Sequence, residues 1–274
     1  MTRGRVGPAY PSFPPRKAVE VLEARTETLK HTTLGFVHNG QTQPGQFMMV
    51  WLPGVDEIPM GYSRIDSGGL REFTVHNVGE ATNALCSLEA GDRMWVRGPL
   101  GSGFKLRGES ILAVGGGCGI SPLAPLVEKA AGDGRRVTVA LGAVTASDLL
   151  MVERLSRSAR VHVATDDGTA GYHGLVSEAA FGIMEQDHEK PELVCACGPE
   201  KMLIAVAERC KTMGIPCQVS MERYMKCGIG ICDSCAVSGI RVCADGPVFS
   251  GEEALSMAEF GKTRRGAEGG IIPI

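Results

Sequence analysis

The chain has 274 residues, 43% of them hydrophobic and 22% charged, with a formal net charge of −3. That length suits two domains and a small module, and the composition is that of an ordinary globular protein. So slight a negative charge supplies no basic field for nucleic acid.

Met1–Arg16 carries Arg3 and Arg5 but no apolar core, so no signal peptide is expected there. Pro8, Pro11, Pro14 and Pro15 predict an extended, disordered tail over residues 1–16. Residues 17–107 read as short strands and turns. Strands are predicted at Lys17–Ala24, Thr32–Val37, Gln46–Leu52, Glu72–Asn77 and Asp92–Gly98, with one helix at Ala81–Leu88. Such strands between glycine and proline turns predict a small antiparallel β-barrel. From residue 108 strands and helices alternate. Ser110–Val114, Arg136–Gly142, Arg160–Thr165, Glu192–Cys197 and Pro216–Ser220 read as strands. Ser121–Ala131, Ser147–Leu155, His173–Met184 and Pro199–Met213 read as helices. In the last of these Met202, Leu203, Val206, Ala207, Cys210 and Met213 recur at helical spacing and form one buried face. The alternation predicts a doubly wound parallel sheet over 108–220. Residues 221–274 then form a small C-terminal module and tail. The longest uncharged run, Ser110–Val127, holds four glycines and two prolines, which belong to a strand–helix loop and not to a membrane span.

Four cysteines in that module carry the strongest signal. Cys227, Cys232, Cys235 and Cys243 are spaced Cys-x4-Cys-x2-Cys-x7-Cys. One tight loop supplying three thiolates, with a fourth returning later, is the ligand pattern of a plant-type [2Fe–2S] cluster. Gly228 and Gly230 let the loop backbone wind close to such a group. Zinc also takes four thiolates, usually from two short pairs, and disulfides are a third reading. Ten cysteines without a secretion signal imply a reducing, cytoplasmic setting. Met221, Tyr224, Met225, Ile229 and Ile231 surround the cysteines, either packing around them or forming an apolar patch for a partner.

Three further motifs sit at strand ends. Gly115, Gly116, Gly117 and Gly119 lie between a strand and a helix start, where a dinucleotide's phosphates can approach the backbone. They do not form the strict Gly-x-Gly-x-x-Gly fingerprint, and an ordinary glycine turn is the plain alternative. Cys197-Gly198-Pro199 ends the fourth strand of the sheet, where Cys197 would touch a nicotinamide ring. Cys195, Cys210 and Cys217 read as core packing. Asp166 and Asp167, at the end of the third strand, either bond a ribose or cap a turn. Asp148, after the second strand, leans towards NAD by repelling a 2′-phosphate.

Barrel, nucleotide sheet and cysteine loop, in that order, resemble the ferredoxin-NADP reductase superfamily. Glu222–Cys235 and Arg241–Phe249 narrow the resemblance to the electron-transfer subunits of type B dihydroorotate dehydrogenase. The resemblance implies FAD in the barrel, NAD on the sheet and a [2Fe–2S] cluster on the four cysteines. It also implies a separate FMN-containing catalytic subunit that oxidises dihydroorotate to orotate, in a heterotetramer of two plus two. For the flavin it points to Gly61, Tyr62 and Ser63, with Tyr62 stacked on the ring and Ser63 near N5, and to Val75, Gly79, Ala81 and Thr82. Met60 stands where the family motif has arginine, and Arg64 would point to the opposite face. The pyrophosphate is then left to the Gly79–Thr82 segment. The segment Arg97–Phe104 matches the turn that closes the superfamily's barrel. Other readings with similar chemistry are a hydrogenase- or transhydrogenase-type flavin subunit and a stand-alone NAD(P)H reductase. A non-catalytic redox sensor and a zinc-stabilised binding module need no flavin.

Overall fold

The structure, a computed structural model, describes residues 14–185 and 190–274. The expected tail therefore lies outside the described residues except for Pro14–Arg16. The N-terminal part contains β1 (Lys17–Glu20), β2 (Glu23–Thr28), β3 (His31–Val37), β4 (Phe47–Leu52), β5 (Asp56–Gly61), β6 (Arg64–Ile65), β7 (Leu70–His76), α1 (Glu80–Cys86) and β8 (Arg93–Leu100). They pair as two antiparallel sheets, β1-β8-β4-β5 and β2-β3-β7-β6. The period-two pleat turns Leu34, Phe36, Met48, Val50, Phe73, Val75, Met94 and Val96 into one shared core between them. The single strand expected over Lys17–Ala24 is in fact two. At the break Val21 donates its N–H to Asp92 O and Leu22 donates to Gly35 O, so the chain crosses from one sheet to the other. Arg16 is not free tail: it grips the Glu57 carboxylate through two bonds of 3.0 Å. The same carboxylate takes the buried Arg97 guanidinium at 2.8 and 3.1 Å.

The second part runs β9 (Ser110–Gly116), α2 (Ala124–Gly132), β10 (Arg136–Ala143), α3 (Val152–Leu155), β11 (Arg160–Thr165), β12 (Tyr172–His173), α4 (Val176–Met184), β13 (Leu193–Cys197), α5 (Glu200–Met213) and β14 (Cys217–Ser220). The helix expected from Ser121 begins later, because Gly117–Leu123 winds as a tighter 3₁₀ turn. Tyr172–His173 pairs with β11 and is not the start of a helix. The cysteine segment then adds β15 (Ala236–Val237), β16 (Ile240–Arg241), α6 (Val242–Asp245), β17 (Val248–Ser250), α7 (Gly251–Ser256) and a hairpin of β18 (Thr263–Arg265) and β19 (Ile271–Pro273).

The large sheet has the order β12-β11-β10-β9-β13-β14-β17. All its pairings are parallel except β14 with β17. Every residue of β9 and β13 is buried, as expected of central strands covered by helices on both faces. The strand order reverses between β9 and β13, so a crevice opens beyond their carboxyl ends. One consequence was not visible in the sequence: β17, from beyond the cysteines, is the last strand of the nucleotide sheet.

Charge and close backbone contact join the parts. Lys30 meets Asp148 at 2.7 Å, and Arg154 meets Glu128 at 2.7 Å and Glu72 at 3.7 Å. Ser102 donates its N–H to Gly246 O at 2.6 Å. Next to it Gly101 has φ +68°, and a Cβ there would fall 2.6 Å from Gly246 O. Gly101→Ala is expected to cost about 1–3 kcal/mol through backbone strain and to loosen the cysteine segment. Calorimetry and iron analysis of the variant check this, with a lower midpoint and less bound iron as the expected result.

Candidate functional site

The structure brings the four module cysteines together in two pairs. The Cys227 and Cys232 thiols lie within hydrogen-bond reach of each other, as do those of Cys235 and Cys243. Backbone N–H groups converge on them. Gly230 donates to Cys243 Sγ at 3.1 Å, Ile231 to Cys227 Sγ at 3.3 Å and Cys243 to Cys235 Sγ at 3.4 Å. The loop can present these donors because Gly230 adopts φ +78°, where a Cβ would lie 2.7 Å from Ala244 Cβ. Partial burial pushes the Cys227 thiol up, but the N–H groups of Ile229, Ile231 and Cys232 outweigh it and bring its pKa down to about 7. Cys235 also falls to about 7, chiefly through its bond with Cys243. Cys243 is pushed up as the partner that keeps the proton.

This donor set fits two irons better than one zinc. Tetrahedral zinc draws all four sulfurs to one point, whereas two thiolates per iron is the arrangement of a [2Fe–2S] cluster. All ten cysteines are free thiols, so disulfides do not explain the spacing. Of the apolar residues around the loop, Met221 and Met225 are buried and Tyr224 and Ile229 half-buried. Ile231, 65% exposed beside the exposed Cys232, is the one that remains open.

A cleft of about 340 Å³ opens at the carboxyl end of the parallel sheet. Pro59, Met60 and Gly61 wall it from the barrel, with Thr74, His76, Val78 and Thr82. Cys118, Ser121, Pro122 and Cys197 wall it from the sheet, and Ser220–Arg223 and Met225 from the start of the cysteine segment.

The flavin residues expected from the resemblance divide. Gly61 and Thr82 face the cleft. Tyr62, Ser63 and Val75 do not: they are 1%, 0% and 0% exposed, and Tyr62 and Val75 belong to the barrel core. The pleat is the cause. Gly61 lies opposite Phe47, which also lines the cleft, and the next residue, Tyr62, turns inward to the core that holds Met48. On β7 the same alternation sends Val75 inward and leaves Thr74 and His76 at the cleft. Tyr62 thus packs in the barrel core and is not turned towards the cleft. Gly79 is the N-cap of α1, and Ala81 lies in its first turn. Thr82 Oγ1 accepts the N–H groups of Val78 and Gly79, both at 2.9 Å. Arg64 is committed to Glu72 at 2.9 Å, so it does not replace the missing arginine.

The nucleotide glycines have unequal duties. A Cβ at Gly119 would meet Cys197 O at 2.4 Å, and one at Gly116 would meet Pro199 Cδ at 2.9 Å. Gly115 packs likewise against Ile120. Gly116 and Gly119 let the strand end and the Cys197-Gly198-Pro199 turn close on each other. Gly117, with φ +55° and nothing within 4 Å, is the one left open to a ligand. Asp166 is exposed at the end of β11, outside the cleft walls. Asp167 accepts from Thr169 N–H and Oγ1 at 3.0 and 2.6 Å, which is turn capping. Asp148 spends its charge on Lys30, so its expected role in repelling a 2′-phosphate loses its basis.

Sequence reasoning passed over His76, Cys118, Ser220, Glu222 and Arg223. The last three directly follow or end β14, and the rule applied to the other strand ends would have found them. Their electrostatics are cooperative. Burial, then the Glu222 carboxylate, pushes the Cys118 thiol up to about 12. The same two causes, in that order, keep Cys197 firmly protonated. Glu222 is exposed at the cleft wall, and partial desolvation by the surrounding protein holds its carboxyl above the usual range. Cys197 therefore offers the cleft an uncharged, compact surface and not a nucleophile.

Comparisons with known proteins agree with this geometry. Residues 222–255 match the family described as the iron–sulfur cluster binding domain of dihydroorotate dehydrogenase B, and residues 113–208 match the oxidoreductase NAD-binding domain. A Methanocaldococcus jannaschii protein is 45% identical over 83% of this chain and 86% of its own length. A Methanothermobacter thermautotrophicus protein is 39% identical over 93% and 97%. Both carry the name "Probable dihydroorotate dehydrogenase B (NAD(+)), electron transfer subunit". The chain belongs to the family of dihydroorotate dehydrogenase B electron-transfer subunits. Among solved structures, the NADH-dependent reduced ferredoxin-NADP oxidoreductase studied for flavin-based electron bifurcation superposes with a TM-score of 0.78. It is 29% identical, over 86% of this chain and 88% of that one. The ferredoxin reductase of carbazole 1,9a-dioxygenase shares the fold, with a TM-score of 0.64 at 22% identity over 76% of this chain and 68% of that one. In this member of the electron-transfer subunit family, then, the barrel presents Met60 and Gly61 to the cleft.

Two outcomes follow for this site. Tyr62→Phe should leave flavin affinity within about two-fold of wild type, because the ring makes apolar core contacts; fluorescence titration with FAD decides. His31 stacks on the cleft residue His76 at 4.5 Å, and burial followed by His76 lowers its pKa to about 4. The unfolded chain binds this proton near the ordinary value of about 6.5, so His31 withdraws stability as pH falls from there towards 4. His31→Gln should flatten that part of the pH dependence in urea denaturation.

Proposed function

We propose that this chain is the electron-transfer subunit of an NAD-linked dihydroorotate dehydrogenase, working in the cytoplasm with two copies of an FMN-containing catalytic subunit in a heterotetramer. It carries electrons from dihydroorotate oxidation, by way of a [2Fe–2S] cluster and FAD, to NAD+. The observation that carries this reading is the position of the paired cysteines. They sit on the continuation of β14, whose end, with that of β13, walls the nucleotide cleft.

Cys227, Cys232, Cys235 and Cys243 would hold the cluster, which supplies a one-electron outlet when bound. Gly61, Met60, His76 and Thr82 would border the flavin, which exchanges single electrons for a two-electron hydride. Gly117, Cys197, Gly198 and Pro199 would receive the nicotinamide nucleotide. The chain's own residues do the positioning. Cys197 and Cys118, held as neutral thiols, put no negative charge against an incoming nucleotide. Glycine packing at 116 and 119 keeps the strand ends close enough to form one wall. Ile231 and Cys232, at the surface, place the outlet where a partner can reach it. Nothing in the cleft needs to act as a general base, since the proton of dihydroorotate would be removed on the catalytic subunit.

The likeness to a reduced ferredoxin-NADP oxidoreductase favours one other reading, a transhydrogenase-type complex. Anaerobically purified chain is expected to contain flavin, two irons and two acid-labile sulfides, and NADH should bleach its visible absorption. Dihydroorotate should do so only after an FMN-containing catalytic subunit is added. Bleaching by NADH with no response to dihydroorotate and that subunit would transfer the chain to the second reading.

A further inference from the structure

A buried ion pair stands where β14 runs on towards the cysteine loop. Arg223 lies three residues beyond the end of β14. Its Nη2 donates to Glu200 Oε2 at 3.1 Å, its Nη1 also reaches the Glu200 carboxylate, and Nη1 donates to Glu222 O at 2.9 Å. The two side chains are 2% and 6% exposed. Nε, also buried, has no partner. Glu200 is the first residue of α5, directly after the Cys197-Gly198-Pro199 turn, and it also accepts the Gly261 N–H at 2.6 Å. Arg223 thus walls the nucleotide cleft on one side. On the other it leads into the cysteine loop, four residues before Cys227, a stretch that spans at most about 14 Å.

Burying such a pair is a poor route to stability, since well-packed apolar residues often do as well or better. Its place between cleft and thiolates offers another reason. Reduction of a [2Fe–2S] cluster adds one electron and no proton, so the site's negative charge grows by one. A fixed cation nearby stabilises that added charge, more strongly where water is excluded. We propose that Arg223 is a positioning residue for electron transfer, anchored by Glu200 so that its guanidinium raises the reduction potential of the cluster. This rests on the cluster reading given above. Glu200 opposes the cation it anchors, so removing either charge shifts the potential in opposite directions.

The test is an EPR-monitored redox titration of the full chain, carrying iron and sulfide, as wild type, Arg223→Met, Arg223→Lys and Glu200→Gln. Arg223→Met should lower the midpoint, so that the ratio of reduced to oxidised cluster at the wild-type midpoint falls about ten-fold, the scale of one unit charge at an effective dielectric of about 20. Arg223→Lys should recover most of that loss, and Glu200→Gln should raise the midpoint. Iron and acid-labile sulfide are counted in each, and if Arg223→Met fails to hold the cluster, Arg223→Lys and Glu200→Gln decide. Midpoints that stay put, or that move in the same direction for both charge removals, overturn the proposal while the cluster reading stands. A wild-type chain that shows no EPR signal after reconstitution overturns the cluster reading, and this proposal with it.

Discussion

The hydrogen bonds between β14 and β17 are the constraint on which the rest of this molecule depends. They make the segment after the cysteines the outermost strand of the nucleotide sheet. The cysteine loop is therefore pinned at both ends. Its start continues from β14 and its end returns as β17, and Met221 N–H closes the loop on Pro247 O. A buried backbone polar group needs a partner, and here that need fixes how far the thiolates stand from the cleft. The same segment shares one core with the nucleotide sheet and with Phe47, Met49 and Leu100 of the barrel. Three stretches of sequence thus meet around one site.

Ten cysteines divide by environment into two chemistries. Cys195 and Cys197 lie inside the sheet, where a charged sulfur would be unsolvated, so they stay as thiols. Cys227 lies where a glycine-bearing loop aims several N–H groups inward, and these replace the lost water, while Cys235 is lowered chiefly by its hydrogen bond with Cys243. Backbone geometry, and not residue type, decides which sulfurs can give up a proton to a metal. The loop can take that geometry because Gly228 and Gly230 adopt positive φ, which side chains resist.

The barrel illustrates how a motif can be present and yet face elsewhere. Met60-Gly61-Tyr62-Ser63 looks like a flavin tetrapeptide when compared by residue type. Pairing with β4 assigns its faces differently, because one residue of register exchanges the inner and outer sets of a strand. Tyr62 becomes a core residue, and the smaller Gly61 and the flank of Met60 meet the cleft. Of the residues that wall the cleft, Arg223 is the one lysine or arginine, and it is paired with Glu200.

The sequence alone determined whatever rests on local chemistry. Cysteine spacing, the glycines between β9 and α2, and the rhythm of strands and helices are properties of neighbouring residues, and the structure repeats them with shifts of a few positions. The split of Lys17–Ala24, the late start of α2 and the strand at Tyr172–His173 depend on which sheet a residue joins. Still more remote are the inward turn of Tyr62, the Lys30 claim on Asp148, the Glu200–Arg223 pair and the return of β17. Each joins residues distant in the chain, and pairing register, burial and charge across such distances are decided only when the whole chain has packed. Tertiary structure alone could set them, because side-chain direction and local dielectric have no expression in a short run of residues.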